Sequence, residues 1–225
     1  MRLAKNCLDV GVFTTNVEPM LEFWRDEVGL PFEEMLPIGG GVRQYRHGLN
    51  GGVLKINHVR GDLPDAGPCG YRELLIVREG RRVPKRLTDP DGNGVVLIPP
   101  GYAQIETLGI VIAVDDMAWA NGYYAGTLGL QPDGDHRFRF GTTVLMFDHS
   151  DDVAPAGDLR AKGYRYLTAQ VWDCDAEHAG IIRRGGTEGR PPVTLGDTAR
   201  ISFVRDPDGN WLEISQRASL TGPVA

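Results

Sequence analysis

Apolar positions along the chain follow two periods in turn. From residue 8 to 15 the run Leu8, Val10, Val12 and Phe13 has the two-residue spacing of a strand. Beyond it Met20, Leu21, Phe23, Trp24 and Val28 recur at the helical spacing. Asn16 is the predicted N-cap, Pro19 sits in the first turn where its missing N–H costs little, and Gly29 ends the stripe. Residues 32–36, 41–45 and 52–57 then predict three short strands separated by glycine-rich turns. The pattern is one strand, one helix and three strands.

That pattern recurs. Residues 110–114 predict a strand, Asp115 and Asp116 a cap, and Trp119, Tyr123, Tyr124 and Leu128 a second apolar stripe, ended by Gly129-Leu130 as the first is ended by Gly29-Leu30. Trp24, Trp119, Tyr123 and Tyr124 are expected in the core. Gly52-Val53-Leu54-Lys55-Ile56-Asn57-His58 matches Thr143-Val144-Leu145-Met146-Phe147-Asp148-His149, and Gly70-Tyr71-Arg72 matches Gly163-Tyr164-Arg165, so the sequence is a duplication. Each half has a second part: strands at 74–77 and 95–98 in the first, and strands at 167–171 and 201–214 with a helix at 176–184 in the second. The first half has no room for that helix, because only residues 78–86 separate its strand from its turn. Pro99-Pro100-Gly101-Tyr102 breaks both kinds of regular structure and reads as a linker, giving domains at 1–100 and 103–225.

The second part of each half carries the same turn, Asp89-Pro90-Asp91-Gly92-Asn93 and Asp206-Pro207-Asp208-Gly209-Asn210. Seven residues on from the first Asp of each turn, the following strand has Val96 in the first copy and Glu213 in the second. On a strand Glu213 points away from Leu212 and Ile214, so a carboxylate is aimed at the opposite surface of a sheet.

Composition narrows the function classes. Over 225 residues, 41% hydrophobic and 24% charged positions are those of a globular protein, and a net charge of −6 with a pI near 5.4 argues against a nucleic-acid or anionic-membrane partner. No apolar run approaches the length of a membrane span, and residues 1–7 lack the apolar stretch of a signal peptide. Cys7, Cys69 and Cys174 are isolated, with no C-x-x-C spacing, which fits a reducing cytoplasm.

The helix end Phe23-Trp24-Arg25-Asp26-Glu27-Val28-Gly29-Leu30 and the turn and strand from Asp206 to Ile214, set in a duplicated strand-helix-strands pattern, resemble the vicinal oxygen chelate superfamily. That group includes glyoxalase I, extradiol dioxygenases, methylmalonyl-CoA epimerase and the fosfomycin and bleomycin resistance proteins. The resemblance covers nearly the whole chain. It implies an α+β fold of four βαβββ-type units, the second lacking its helix, paired into two open β-barrel-like domains, each around one pocket.

The resemblance also implies positions for metal ligands, which family enzymes usually fill with His and Glu. Here those slots hold Asp9 and Gly109 on the first strands, Lys55 and Met146 on the fourth, Glu73 and Tyr166 after the Gly-Tyr turns, and Val96 and Glu213 at the end. No slot is a histidine, and Lys55 is itself a cation, so no metal or other cofactor is expected there; a divalent ion would have Asp9 with Glu73 or Glu213 as its ligands. If each half closes on itself, Asp9, Lys55 and Glu73 meet in one pocket and Tyr166 with Glu213 in the other. If the halves exchange units, Asp9, Lys55, Tyr166 and Glu213 meet and Glu73 faces Gly109, Met146 and Val96.

Asp9 paired with Lys55, and Glu73 or Glu213 as a proton shuttle, would support enolisation, isomerisation or lyase chemistry on a small carbonyl or phenolic compound without a metal. The rival reading is a non-catalytic small-molecule binding or resistance protein on the same scaffold. In that case Asp9–Lys55 is a buried ion pair, and Glu213 bonds Tyr166 or backbone amides. Phe138 and Phe140, alternating with Arg137 and Arg139, Met146 on the next strand, and His136 beside them are the expected substrate-binding groups. His47 and His136 lie among Arg43, Arg46, Arg137 and Arg139, which suit an anionic substrate. His58 and His149 are expected at turns or on the rim, and His178 on the solvent face of its helix. The expected partner is a small molecule, with a homodimer left open.

Overall fold

The computed structural model describes every residue except Asp65, Pro68, Ala154 and Ala225. The first unit comprises β1 (Asp9–Thr14), α1 (Val17–Glu22), β2 (Phe32–Pro37), β3 (Val42–Leu49) and β4 (Gly52–Val59). The second has strands alone: β5 (Tyr71–Val77), β6 (Lys85–Thr88) and β7 (Gly94–Ile98). The third repeats the first as β8 (Leu108–Val114), α2 (Met117–Gly122), β9 (Gln131–Pro132), β10 (Arg137–Phe140) and β11 (Thr143–His149). The fourth is β12 (Gly163–Gln170), α3 (Cys174–Arg183), β13 (Thr187–Leu195), β14 (Ala199–Arg205) and β15 (Trp211–Arg217), followed by the short α4 (Ala218–Thr221).

The units are exchanged between the halves. One eight-stranded sheet runs β13-β14-β15-β12-β1-β4-β3-β2, joining the fourth unit to the first, and a seven-stranded sheet runs β6-β7-β5-β8-β11-β10-β9, joining the second to the third. The seams are antiparallel, with Asp9 opposite Thr168 and Leu75 opposite Gly109. Each sheet therefore draws on both 1–100 and 103–225. Neither closes into a barrel. No helix among the described residues is long and apolar enough to cross a membrane.

Alternation decides which side chains meet. Leu8, Val10 and Val12, with Leu54, Ile56, Leu74, Ile76, Ile110, Ile112 and the helix residues Met20, Trp24 and Tyr124, fill the core shared by the two sheets. Asp9, Gly11 and Phe13 face the other side, toward the hollow of the first sheet. The repeated Gly-Leu ends the helices in the same way, by wide π-type turns in which Val28 N–H donates to Phe23 O and Leu128 N–H to Tyr123 O.

The two Asp-Pro-Asp-Gly-Asn turns are reciprocal latches. Asp206 accepts from Asn210 N at 2.8 Å and from Asn210 Nδ2, and Asn210 Oδ1 then accepts Gly70 N–H at 2.6 Å from the other sheet. Asp89 holds Asn93 in the same manner, and Asn93 Oδ1 accepts Tyr164 N–H at 3.2 Å. Tyr71 and Tyr164 complete the exchange by donating to the backbone oxygens of Trp211 and Gly94. Burial pushes both Asp89 and Asp206 up to about 6, against the hydrogen bonds that stabilise their charge.

Several sequence-based expectations are corrected. Trp119 is 68% exposed, because its stripe position lies on the outer side of α2, whereas Trp24 is fully buried. Asn16 makes no side-chain cap, while Asp116 caps α2 by accepting Trp119 N–H at 2.9 Å. His178 is buried under α3, with Nδ1 3.0 Å from Ser202 Oγ and Nε2 3.0 Å from Glu188 Oε2. His47 is buried too, its Nδ1 3.2 Å from Leu30 O, so it greets no substrate.

Candidate functional site

In the hollow of the first sheet, β1, β4, β12 and β15 bring four groups together. Lys55 Nζ donates to Thr168 Oγ1 at 2.7 Å and to Glu213 Oε2 at 2.9 Å, and lies 3.8 Å from Asp9 Oδ2. Thr168 Oγ1 donates to Glu213 Oε2 at 2.6 Å. The register explains the cluster, since Thr168 stands opposite Asp9 on one side and Glu213 on the other. Both bonds to Glu213 fall on Oε2, and Oε1 has no hydrogen bond among the described residues.

Asp9 is fully buried and fully bonded. Lys5 Nζ donates to Oδ1 at 2.7 Å, Val53 N–H to Oδ1 at 3.0 Å, and Gln170 Nε2 to Oδ2 at 3.0 Å. Burial alone would raise its carboxyl, but the charges of Lys55 and Lys5 and these side-chain bonds overcome that and hold it below the ordinary carboxylate value. Its nearest cation is thus Lys5, and Lys55 belongs first to Glu213.

Tyr166 lies one step along the same face as Thr168. Its ring packs flat across β1 because residue 11 is glycine: a Cβ there would come within 2.0 Å of Tyr166 Cε1. Asn57 Nδ2 donates to Tyr166 Oη at 3.2 Å, Gln44 Nε2 donates to Asn57 Oδ1, and Lys55 Nζ sits 5.4 Å from the ring centre. Burial, reinforced by the charge of Glu213, pushes the phenol well above its ordinary value, so Tyr166 stays protonated. Beyond it Phe13, Phe203, Trp211, Val42, Val59 and Leu159 make an apolar wall.

A cleft of about 700 Å³, lined among others by Lys5, Asp9, Arg46, Arg78, Gln170 and Arg217, adjoins this cluster through Asp9, whereas Lys55, Thr168, Tyr166 and Glu213 do not line it. The volume is that of a small-molecule site.

The corresponding hollow of the second sheet is filled. Leu75, Val77, Val96, Ile98, Val144, Val111 and Met146 line it, and Ile105, three residues past the linker between halves, plugs it. Gly109 makes room for the plug, since a Cβ there would lie 2.7 Å from Ile105 Cδ1. Glu73 leaves this hollow to pair with Arg86 at the surface, away from Lys55 and Glu213. Phe138 and Phe140 pack in the core beside Tyr124 and Phe147, and Phe140 borders only a void of about 10 Å³, too small for a ligand. His136 is exposed on a turn, its Nδ1 3.3 Å from Asn121 Nδ2.

Residues 107–214 match the sequence model of the Glyoxalase/Bleomycin resistance protein/Dioxygenase superfamily. That segment is similar to the vicinal oxygen chelate proteins. The matched segment spans the third and fourth units, so it contributes strands to both sheets. The chain as a whole has the fold of glyoxalase I from Zea mays, with a TM-score of 0.74 at 17% identity over 96% of this chain and 92% of that one. It is also similar to the cppA protein from Streptococcus pneumoniae, with a TM-score of 0.57 at 10% identity over 96% and 100% of the two chains. No curated protein matches the sequence. Identities this low establish the shared fold alone.

The metal that this superfamily implies does not fit the residues present. The slot positions Asp9, Lys55 and Glu213 converge as the exchanged pairing requires, but the centre is occupied by the Lys55 ammonium, and the ligating oxygens are taken by Lys5, Val53, Gln170 and Thr168. Among the described residues no group of three or more His, Cys, Asp or Glu side chains converges to hold an ion. Thr168, Gln170 and Arg217 were not evident as site residues in the sequence; counting two and four residues on from Tyr166 along one face of β12 would have found the first two.

Proposed function

We propose that this protein is a small-molecule enzyme of the vicinal oxygen chelate type that works by acid-base chemistry on a carbonyl or phenolic compound. The observation that supports this reading is the Lys55–Thr168–Glu213 cluster, which sets a tethered cation and a carboxylate with one free oxygen side by side in a mostly dry hollow. Glu213 Oε1 takes a proton from the carbon next to the substrate carbonyl. The third N–H of Lys55, not given to Thr168 or Glu213, donates to the carbonyl oxygen as negative charge gathers on it. With a hydroxyl on the deprotonated carbon, return of the proton to the former carbonyl carbon and passage of the hydroxyl proton to the former carbonyl oxygen complete an isomerisation. With a leaving group on the β carbon, its expulsion by the enolate, which restores the carbonyl and forms a carbon–carbon double bond, completes a lyase reaction. Protonated Tyr166 orders the floor through Asn57 and Gln44.

A binding or resistance protein without turnover is the second reading, favoured by the way Lys55, Thr168 and Glu213 Oε2 satisfy one another. Glu213→Gln decides between them. With a panel of small carbonyls, phenols and epoxides, loss of turnover with retained binding supports the enzyme. Absence of turnover by the unaltered protein, with binding intact, supports the binding protein. This reading places the protein in the cytoplasm.

A further inference from the structure

The cleft wall is cationic in a chain whose net charge is −6. Lys5, Arg46, Arg78 and Arg217 face it, with Asp9, Glu33 and Glu34. Lys5 is committed to Asp9, while Arg46 donates from Nη1 to Gln44 Oε1 at 3.1 Å and has its Nε 3.1 Å from Glu34 Oε1 without a hydrogen bond. Arg78 is held by the backbone oxygens of Val28 and Val77 and by Asn50 Oδ1, none of them charged. The Arg217 guanidinium makes no ion pair or side-chain hydrogen bond among the described residues.

Arg217 ends β15 and Arg46 sits on β3, with β12, β1 and β4 between them in the curved sheet. Both nevertheless line the same cleft; burial first, and then the charge of Arg46, lower the Arg217 pKa, with Glu34, Asp9 and Glu213 acting against this. Two guanidiniums lining one half-buried cleft are stabilised by an anion bound there, and their planar forks suit two-oxygen groups. Gln170 adds a buried Oε1 with no hydrogen bond, an acceptor for a hydroxyl of the same ligand.

We propose that Arg217 and Arg46 form a subsite for an anionic substituent, a carboxylate or a phosphoryl group, on a molecule bound in this cleft, which reaches the Lys55–Glu213 cluster through Asp9. The inference rests on the reading of this cleft as the ligand site and deepens it by naming the ligand class.

Titration calorimetry at constant ionic strength tests it, with benzoate and inorganic phosphate as probes and benzamide as the neutral control. Either anion is expected to bind in the low-millimolar range or tighter, and the preferred one names the group. Arg217→Gln is expected to weaken that binding by about tenfold or more, with Arg217→Lys intermediate. Should Arg217→Gln fail to fold, Arg217→Lys carries the test through its loss of the two-pronged contact, read as a weakening of about threefold or more. Failure of both anions to bind overturns the proposal, as does equal binding of benzamide, or binding unchanged in the folded variants. If turnover is lost in Glu213→Gln while neither anion binds, the subsite alone falls. If an anion binds but the protein turns nothing over, the acid-base reading alone falls.

Discussion

Replacing Lys55 with methionine keeps a chain of similar length in the slot and deletes the ammonium that bonds Glu213. At an effective dielectric of about 20, the attraction is about 6 kcal/mol to Glu213 at 2.9 Å and about 4 kcal/mol to Asp9 at 3.8 Å. These are gross values, offset by the desolvation of the ions themselves. Asp9 also keeps Lys5 and Gln170, so the loss falls on Glu213, left with Thr168 alone in a nearly dry site. Breaking one side of a buried pair costs about 3–5 kcal/mol. Urea denaturation at pH 7 reads this directly, and little change of the penalty between low and high salt is expected for a pair so shielded. Adding Glu213→Leu to Lys55→Met should restore most of the loss, giving a coupling energy of about 2 kcal/mol or more. A penalty under about 1 kcal/mol, or strict additivity of the two substitutions, would refute the account of Lys55 as the cation that holds the site together.

Other tests reach different parts of the structure. Lys55→Glu gathers three carboxylates around Thr168; it should be unstable in chelator and regain about 2–3 kcal/mol in Mn²⁺ at a hundredfold its dissociation constant, and calorimetry showing no ion bound would sink the idea that Lys55 displaces a metal. Gly11→Ala drives a methyl into the Tyr166 ring and should cost about 1–3 kcal/mol while weakening ligand binding; an unchanged melting curve counts against the close approach. Trp119→Ser should change stability by less than about 0.5 kcal/mol, against about 3–5 kcal/mol for Trp24→Ala, both by denaturant midpoint. For Asp206, raised to about 6, the folded state holds an extra proton above the ordinary carboxylate pKa; its contribution to stability is therefore present at low pH and lost as pH rises through about 4 to 6. The stability difference between Asp206→Asn and the unaltered protein should accordingly shift in favour of the variant over that window by up to about 3 kcal/mol, and a flat difference from pH 4 to 7 contradicts the raised pKa.

The repeat was legible because duplicated punctuation survives where side chains drift: Gly29-Leu30 and Gly129-Leu130 end the same kind of turn, and both Asp-Pro-Asp-Gly-Asn segments fold alike. Convergence of Asp9, Lys55 and Glu213 followed from slot counting, but the choice between the two pairings did not. Local patterns fix a strand and its faces; which strand it lies beside is decided by contacts distant in sequence, such as Asn210 with Gly70. Trp119 and His178 were misplaced for a related reason. A helix of only six residues offers too few positions to fix its buried face, and His178 is drawn inward by Ser202 and Glu188, partners on other strands. Arg217 carried no motif, and its place in the same cleft as Arg46 depends on how far the sheet curls.

The latches at Asp89-Asn93 and Asp206-Asn210 bear on what a cut chain would do. Because each half's turn grips the other half's Gly-Tyr segment, neither 1–100 nor 103–225 owns a complete sheet. Severed at the linker and mixed, the two pieces would find in each other all the edges they lack, so they should reassemble as complementary fragments, and neither should stand alone. The polypeptide is wired as an interlocked pair that happens to be continuous.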